Sequence, residues 1–343
     1  MAIPSPEQIL EYRAAVDTTN PETMYQLLVN QQADHFVILT VPMAIMVRDA
    51  KKQRINGPGY VISTMDGGEG QMVGGLSEME TVPFSQQWIP TYGGRLIEPK
   101  AFDLSYQYSR REDQMSIEGA KHEQTVDEVV RNVLANEFER IGLMSDTGGV
   151  NPTGYGAGNM TTIDGWWVMA NEGHVYDHAG GYISPEVFKQ LYLHMPYKWR
   201  NQPARRADMR FYINDAVTIH YRDVLSKAVT PLGSLSLTEN NQIQYAGINL
   251  TDNAYMPVDM AGTVSQSAVT NTQFTGALLV ETQNLIFGYG PQMKVWSAPD
   301  PVSGKFIYYY WVGYIDVQYE RIDAVAKGIN VLAASDPTLP VFM

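Results

Sequence analysis

The sequence predicts an α+β fold of two subdomains, with a short N-terminal arm and a long extended loop. Three observations predict it. At 343 residues the chain exceeds what one simple core usually organises. A central segment keeps a 3.6-residue apolar period, and a segment near the end is dense in tyrosine. Ahead of both lies a glycine-crowded stretch, about 41–94, that a compact domain would not hold as plain loop. A hydrophobic content of 44% with 11% aromatics supplies real cores and argues against wholesale disorder.

Composition also excludes. Without cysteine there is no disulfide framework, thiol nucleophile or Cys-based metal site, which suits assembly in a reducing cytoplasm. The start, Met1-Ala2-Ile3-Pro4-Ser5-Pro6-Glu7, has no basic region followed by an apolar core, so no signal peptide is expected. No apolar run approaches the ~20 residues that span a bilayer. A net charge of −13 opposes binding to DNA phosphates, which needs clustered Lys and Arg. It is compatible with a container whose wall attracts the polyanion little.

The elements follow in order. Ser5-Pro6-Glu7 and Asn20-Pro21-Glu22 share a helix-start signature: a polar cap, Pro at the first helical position and an acid in the first turn. They predict short helices over Pro6–Val16 and Pro21–Gln31, neither able to stand alone. Within 41–94, glycines such as Gly57, Gly67, Gly74 and Gly93 separate strand-like pieces at Ala44–Val47, Tyr60–Thr64 and Glu80–Phe84. A two-stranded arm leaving the domain accounts for them. Half of Arg48–Phe84, extended at ~3.3 Å per residue, reaches about 60 Å at most. An isolated hairpin of that kind is marginal in water and needs a partner surface.

Arg95–Tyr106 reads as a strand, with Phe102, Leu104 and Tyr106 alternating. The strongest helix spans Gln114–Ile141, where Val126, Val129, Val130, Val133, Leu134, Phe138 and Ile141 form one stripe. At ~1.5 Å per residue it approaches about 40 Å. Gly- and Asn-rich loop follows over Gly148–Asn159, then a turn and buried strand over Ile163–Met169. Ser184-Pro185-Glu186 starts a helix that buries Val187, Phe188, Leu191, Tyr192 and Met195, and Pro196 ends it. Met209–Ile213 is a strand and Asn214 caps a helix to about Ala228. Gln242–Leu250, Ala277–Phe287 and Lys305–Ile322 are further strands.

This order of elements resembles the Hong Kong 97 type major capsid protein of tailed bacteriophages, over nearly the whole chain. Phe211-Tyr212-Ile213-Asn214 looks like the strand and cap of the family's axial domain. Tyr245-Ala246-Gly247-Ile248 with Met256-Pro257 looks like its next segment, and Asn284-Leu285-Ile286-Phe287-Gly288 like the return strand. The resemblance implies an N-terminal arm at 1–43 and an extended loop at 44–94. It implies a peripheral domain at 95–165 and 283–330 with its spine helix at 114–141, an axial domain at 166–282 and a tail at 331–343. The implied function is a major capsid protein, not an enzyme. It would self-assemble into hexamers and pentamers of an icosahedral phage shell around double-stranded DNA, in the virion after assembly in the host cytoplasm. No cofactor or metal is implied. Only about forty residues precede the loop, so the family's N-terminal scaffolding region is either missing or was removed ahead of Met1; a separate scaffolding protein is expected, with a portal and possible decoration proteins as further partners. No lysine stands at the loop tip, so the Lys–Asn cross-link of the original family member is not expected. An encapsulin, a cellular shell of the same fold, is a near alternative. A secreted aromatic-rich glycan-binding protein or hydrolase is a distant one, and would need a pair of buried carboxylates.

The expected subunit interface has two sides. On the loop side stand Arg48, Lys51, Lys52, Arg54, Tyr60, Glu69 and Glu80. On the spine helix stand Glu123, Asp127, Glu128, Arg131 and Glu137. The basic cluster would meet the helix acids of a neighbour, each exposed pair contributing well under ~1 kcal/mol but repeated around a closed shell. Other motifs read as bland. His174-Val175-Tyr176-Asp177-His178 is a surface or interface loop rather than a metal site. Gly154–Gly158 lacks the Lys-Ser/Thr of a phosphate cradle. Asp66, Glu69, Glu78 and Glu80 are solvated charges that discourage stray edge pairing. The aromatic stripe at 308–319 is core or interface rather than a sugar platform.

Overall fold

The computed structural model describes residues 26–27, 44–57, 59–66, 91–109, 122–148, 160–200, 203–227, 243–256, 274–290, 294–299 and 305–332. Two six-stranded sheets and a two-stranded ribbon organise them. The first sheet runs β1 (Gln26–Leu27), β12 (Lys294–Pro299), β13 (Lys305–Tyr319), β11 (Leu285–Tyr289) and β2 (Lys51–Arg54), and β5 (Lys100–Ser109) also pairs with β13. The second runs β6 (His174–Asp177), β14 (Val325–Leu332), β10 (Phe274–Glu281), β7 (Met209–Ile213), β9 (Ile248–Asp252) and β8 (Gln244–Tyr245). The ribbon pairs β3 (Tyr60–Asp66) with β4 (Thr91–Ile97). The helices are α1 (Ile45–Asp49), α2 (His122–Met144), α3 (Trp166–Met169), α4 (Pro185–His194), α5 (Tyr197–Arg200), α6 (Pro203–Asp208) and α7 (Asp215–Lys227). Among the described residues no helix is long and apolar enough to cross a membrane.

β13 is the spine of the first sheet. Its tyrosine, tryptophan and β-branched content suits a pleated surface. It pairs antiparallel with β5, β12 and β11, and Gly313, at φ 88°, takes up a register shift against β5. α2 lays Ala135, Phe138 and Ile141 into the same core as Phe102, Phe287, Ile315 and Val317. The rings of Phe138 and Phe287 stand 5.7 Å apart. Burying each such large side chain contributes about 1.5–3 kcal/mol.

The second sheet is covered on both faces, and the two-residue alternation shows it. Tyr212, Leu278, Val280 and Val325 point into the core shared with α2 and α3. Phe211, Ile213, Ala277, Leu279 and Ala326 point into a second core with Val187, Phe188 and Leu191 of α4 and Val217 of α7. The expected cap is present. Asn214 Oδ1 accepts the Ala216 N–H at 2.9 Å, while its amide donates to the Met256 carbonyl, so the two short signatures close on each other. Ala246 and Gly247, at φ 53° and 79°, form the tight turn between β8 and β9 that needs two left-handed residues.

Several expectations are corrected. Ala44–Val47 is not a strand; α1 starts at Ile45, because a buried carboxylate takes up two of its first N–H groups. Gln26–Leu27, inside an expected helix, is extended and pairs with Val295 and Lys294; the remainder of both early helices lies outside the described residues. Ile163–Met169 is loop and helix rather than strand. One helical turn buries both Trp166 and Trp167, and Trp166 Nε1 donates to Gln318 O at 3.2 Å. Arg95–Tyr106 breaks at Glu98-Pro99 into β4 and β5, and Ala277–Phe287 breaks into β10 and β11, which belong to different sheets. The stretch 283–330 therefore does not stay in one sheet: Val325–Leu332 pairs with β10 and β6. A fully apolar strand carries no mark of which sheet will take it. In α2, Val130, Leu134, Phe138 and Ile141 are buried as expected, but Val129 and Val133 face out. The helix is described from His122, so the expected start at Gln114 lies outside the described residues. His174–Asp177 is an edge strand rather than a loop.

Candidate subunit interface

The loop stretch forms a hairpin, with its return strand at Thr91–Ile97; the expected piece Glu80–Phe84 lies outside the described residues. The hairpin has two unlike faces. Ile62 and Ile97 are buried against Ile55 and Ile286, which ties its base to the first sheet. The opposite face carries Val61 and Leu96, direct cross-strand partners that are 56% and 49% exposed. Val61 and Leu96 thus form an apolar pair that this chain leaves about half exposed. Gly94 serves this flat geometry, since a Cβ there would stand 2.8 Å from Val61 Cγ1.

Polar groups hold the base at a fixed angle. Arg95 Nε donates to Gln318 Oε1 and its guanidinium reaches Glu172 Oε2, both at 2.9 Å. Asp316 on β13 accepts the Glu98 N–H at 2.7 Å, pinning the link between hairpin and β5. Burial pushes the Asp316 carboxyl up to about 6, against the pull of its two backbone donors.

The basic cluster sits beside the hairpin base rather than on it. Arg48 is on α1, where its Nε meets Asp49 at 3.1 Å. Lys51 opens β2 and pairs with Glu320 of the same chain at 3.3 Å. Lys52 donates to the Arg48 carbonyl at 3.1 Å, and burial lowers its pKa. Arg54 ends β2, opposite Tyr289. Tyr60 opens β3 and is exposed, while Glu69 and Glu80 lie outside the described residues. On α2, Glu137 pairs with Arg140 one turn on, its Oε2 2.5 Å from the guanidinium. Glu123, Asp127, Glu128 and Arg131 fall on the same helix, with side chains outside the described set. The structure thus gathers Arg48, Lys51, Lys52 and Arg54 at one edge and gives Arg48, Lys51 and Glu137 ion-pair partners within the chain.

Two arrangements escaped sequence reasoning. Glu139, adjacent to Phe138 on the buried side of α2, is 2% exposed. It accepts the N–H groups of Met46 at 2.8 Å and Val47 at 3.1 Å and the Asn253 amide at 2.5 Å. Burial raises its carboxyl pKa despite these donors. A charge next to an apolar stripe was its only signal. Second, Trp199 is ringed by cations, with Arg205, Lys198 and Arg321 at 4.6, 5.0 and 5.1 Å from the ring centre. The density of Lys and Arg around one tryptophan in 198–206 could have found it.

The remaining motifs hold structure. His178 bonds Tyr176 OH and Tyr182 O, both at 3.0 Å, and Asp177 accepts from Ala179 N and Asn330 Nδ2. Gly154–Gly158 and Glu78 lie outside the described residues, and Asp66 ends β3. Of the aromatic stripe, Tyr319 is buried and donates to Trp166 O at 2.8 Å, while Tyr314 is exposed.

No protein-family model matches the chain, and no curated protein matches it significantly. Solved structures do. The chain is similar to a chain of the satellite phage P4 procapsid that includes the size determination protein, with a TM-score of 0.58 at 9% identity over 96% of this chain and 98% of that one. It is similar to the capsid of a native GTA particle, with a TM-score of 0.53 at 14% identity over 84% and 90%. It is also similar to the encapsulin SrpI of Synechococcus elongatus, with a TM-score of 0.52 at 12% identity over 100% of both chains. The fold is the Hong Kong 97 type capsid fold expected from the sequence.

Proposed function

We propose that this chain, which has the fold of capsid and encapsulin subunits from end to end, is a major capsid protein of a tailed bacteriophage. Its work is geometric rather than catalytic. Copies assemble into hexamers and pentamers of an icosahedral shell around double-stranded DNA, in the virion after assembly in the host cytoplasm. The carrying observation is the β3–β4 hairpin, buried on one face by its own sheet and half exposed on the other at Val61 and Leu96. In a closed shell a second copy covers that face. The loop residues Arg48, Lys51, Lys52, Arg54, Tyr60, Glu69 and Glu80 then lie along one side of the contact. Glu123, Asp127, Glu128, Arg131 and Glu137 of α2 lie along the other, next to the exposed Val129 and Val133. A scaffolding protein and portal complete the assembly, with decoration proteins as optional additions.

Negative-stain microscopy of the purified protein tests this. Closed shells of many subunits are expected; small particles at every concentration would refute it. The full-length match to an encapsulin supports a second reading, a cellular shell that loads protein cargo. Shells purified from the native source separate the two: DNA inside supports the phage capsid, and enclosed enzyme supports the encapsulin.

A further inference from the structure

Three consecutive helices, α4, α5 and α6, carry a surface that mixes cations with exposed apolar groups. Between residues 197 and 210 stand five cations and one acid, Asp208, on a chain whose total charge is −13. Arg210 lies apart, in a cleft it shares with Asp49 and Asp252, and the charge of Asp208 acts on Glu281. Two more of the cations are neutralised inside the chain: Lys198 pairs with Asp323 at 2.5 Å and Arg205 with Glu281 at 3.3 Å. Arg200 and Arg206 differ. Arg200 donates to the Leu193 carbonyl at 3.4 Å and Arg206 to that of Ala246, and among the described residues neither meets a carboxylate. Both guanidiniums share the Tyr192 ring, at 5.8 and 5.6 Å from its centre, and Arg200 also lies 5.9 Å from the centre of the Tyr197 ring. On the same helices Tyr197 is 63% exposed and Leu193 48%.

We propose that this surface, centred on Arg200, Arg206, Tyr192 and Tyr197, docks on an acidic face of a second copy of the chain. The inference rests on the shell reading and deepens it by naming a contact apart from the hairpin. Charge decides that the partner is anionic. Stacking on a tyrosine ring and donating to a carbonyl leave each guanidinium its charge and most of its N–H donors. The apolar groups decide that the partner is a protein. Duplex DNA offers phosphates to the arginines but nothing apolar to Leu193 and Tyr197, because its bases are stacked on one another and only its backbone faces outward along the strand. A protein face supplies both kinds of contact, and Arg beside Tyr is the pairing that carries most energy at such faces. A second copy brings the anion, since the chain has 37 acidic residues against 24 basic ones. Copies that each carry −13 repel, so a lasting contact needs the positive groups of one to meet negative groups of the next.

The test uses whole chains. Wild-type chains labelled with heavy nitrogen are co-assembled with light chains that carry a benzophenone amino acid in place of the exposed Tyr197. The shells are irradiated, digested and read by mass spectrometry. Light peptides spanning residue 197 joined to heavy peptides are expected. Cross-links to light peptides alone, to nucleic acid, or none at all in shells that have formed would overturn the proposal. In parallel, the double variant Arg200→Glu, Arg206→Glu should lower shell yield by at least about tenfold. Normal assembly of that variant beside normal wild-type shells would sink this contact and leave the shell reading intact. Failure of the wild type to form shells would instead sink the shell reading. Should the double variant fail to fold, the cross-linking arm still decides.

Discussion

Glu139 shows how much one residue can organise. From α2 its carboxylate holds the start of α1 and the Asn253 amide, so one side chain joins three stretches distant in sequence. Glu139→Ala leaves two buried N–H groups and an amide without their acceptor, at about 1–3 kcal/mol each. A loss on the order of 3 kcal/mol or more is expected in chemical denaturation of the subunit; a loss under about 1 kcal/mol would refute the network. Asp316 makes a pH prediction. Its folded carboxyl, at about 6, stands above the ordinary 3.8, so folding favours the protonated form. That contribution is complete below pH 3.8 and is lost as pH rises through 6. Its size is up to about 3 kcal/mol. Asp316→Asn keeps an acceptor for Glu98 N–H and removes the titration. Between those limits the wild type should lose stability with rising pH relative to Asp316→Asn; parallel curves would count against the burial argument.

At the scale of elements, the hairpin and α2 share one property: each buries one apolar face in its own subunit and leaves another outside. Val61 and Leu96 on the ribbon, and Val129 and Val133 on the helix, lie outside the buried cores and are exposed. Replacing Val61 with Glu and Leu96 with Lys puts an opposite-charge pair at directly facing positions, which keeps the ribbon paired. The melting temperature of the isolated subunit should stay within about 2 °C, since exposed substitutions cost roughly 0.5 kcal/mol or less. Shell yield by sedimentation should fall sharply. Unchanged yield would show that this face is not a contact. Gly276 illustrates the opposite constraint. It sits at the register shift of β10, where a Cβ would meet the Trp167 ring and lie 2.7 Å from Gly328 O, so α3 can lie down on the strand only because that atom is missing.

For the whole molecule, the two cores are welded at the second sheet, whose strands face both. The ribbon is tied to this frame at its base, where Ile62 and Ile97 pack on Ile55 and Ile286. If the chain builds a shell as proposed, its contacts belong to the obligate class, above ~2,000 Å² in total. Assembled shells should therefore melt well above the isolated subunit, with the subunit's apparent stability rising with concentration. Calorimetry of the two fractions checks this; equal melting temperatures would mean that assembly adds nothing to stability.

Local signals determined a good deal. Asn214 after an alternating strand, Ser184-Pro185-Glu186 before an amphipathic run and the positive-φ pair at Ala246-Gly247 each act within a few residues, so the sequence carries them openly. The order of elements was enough to indicate the fold class and the capsid resemblance. Tertiary structure alone decided three matters: that Ala44–Val47 coils onto Glu139, that β14 joins the second sheet, and that Arg48 lines one cleft with Arg210 and Arg222. The physical reason is common to all three. A buried strand or a lone charge can be satisfied by many partners, and which one it meets depends on groups brought near only when the chain closes on itself.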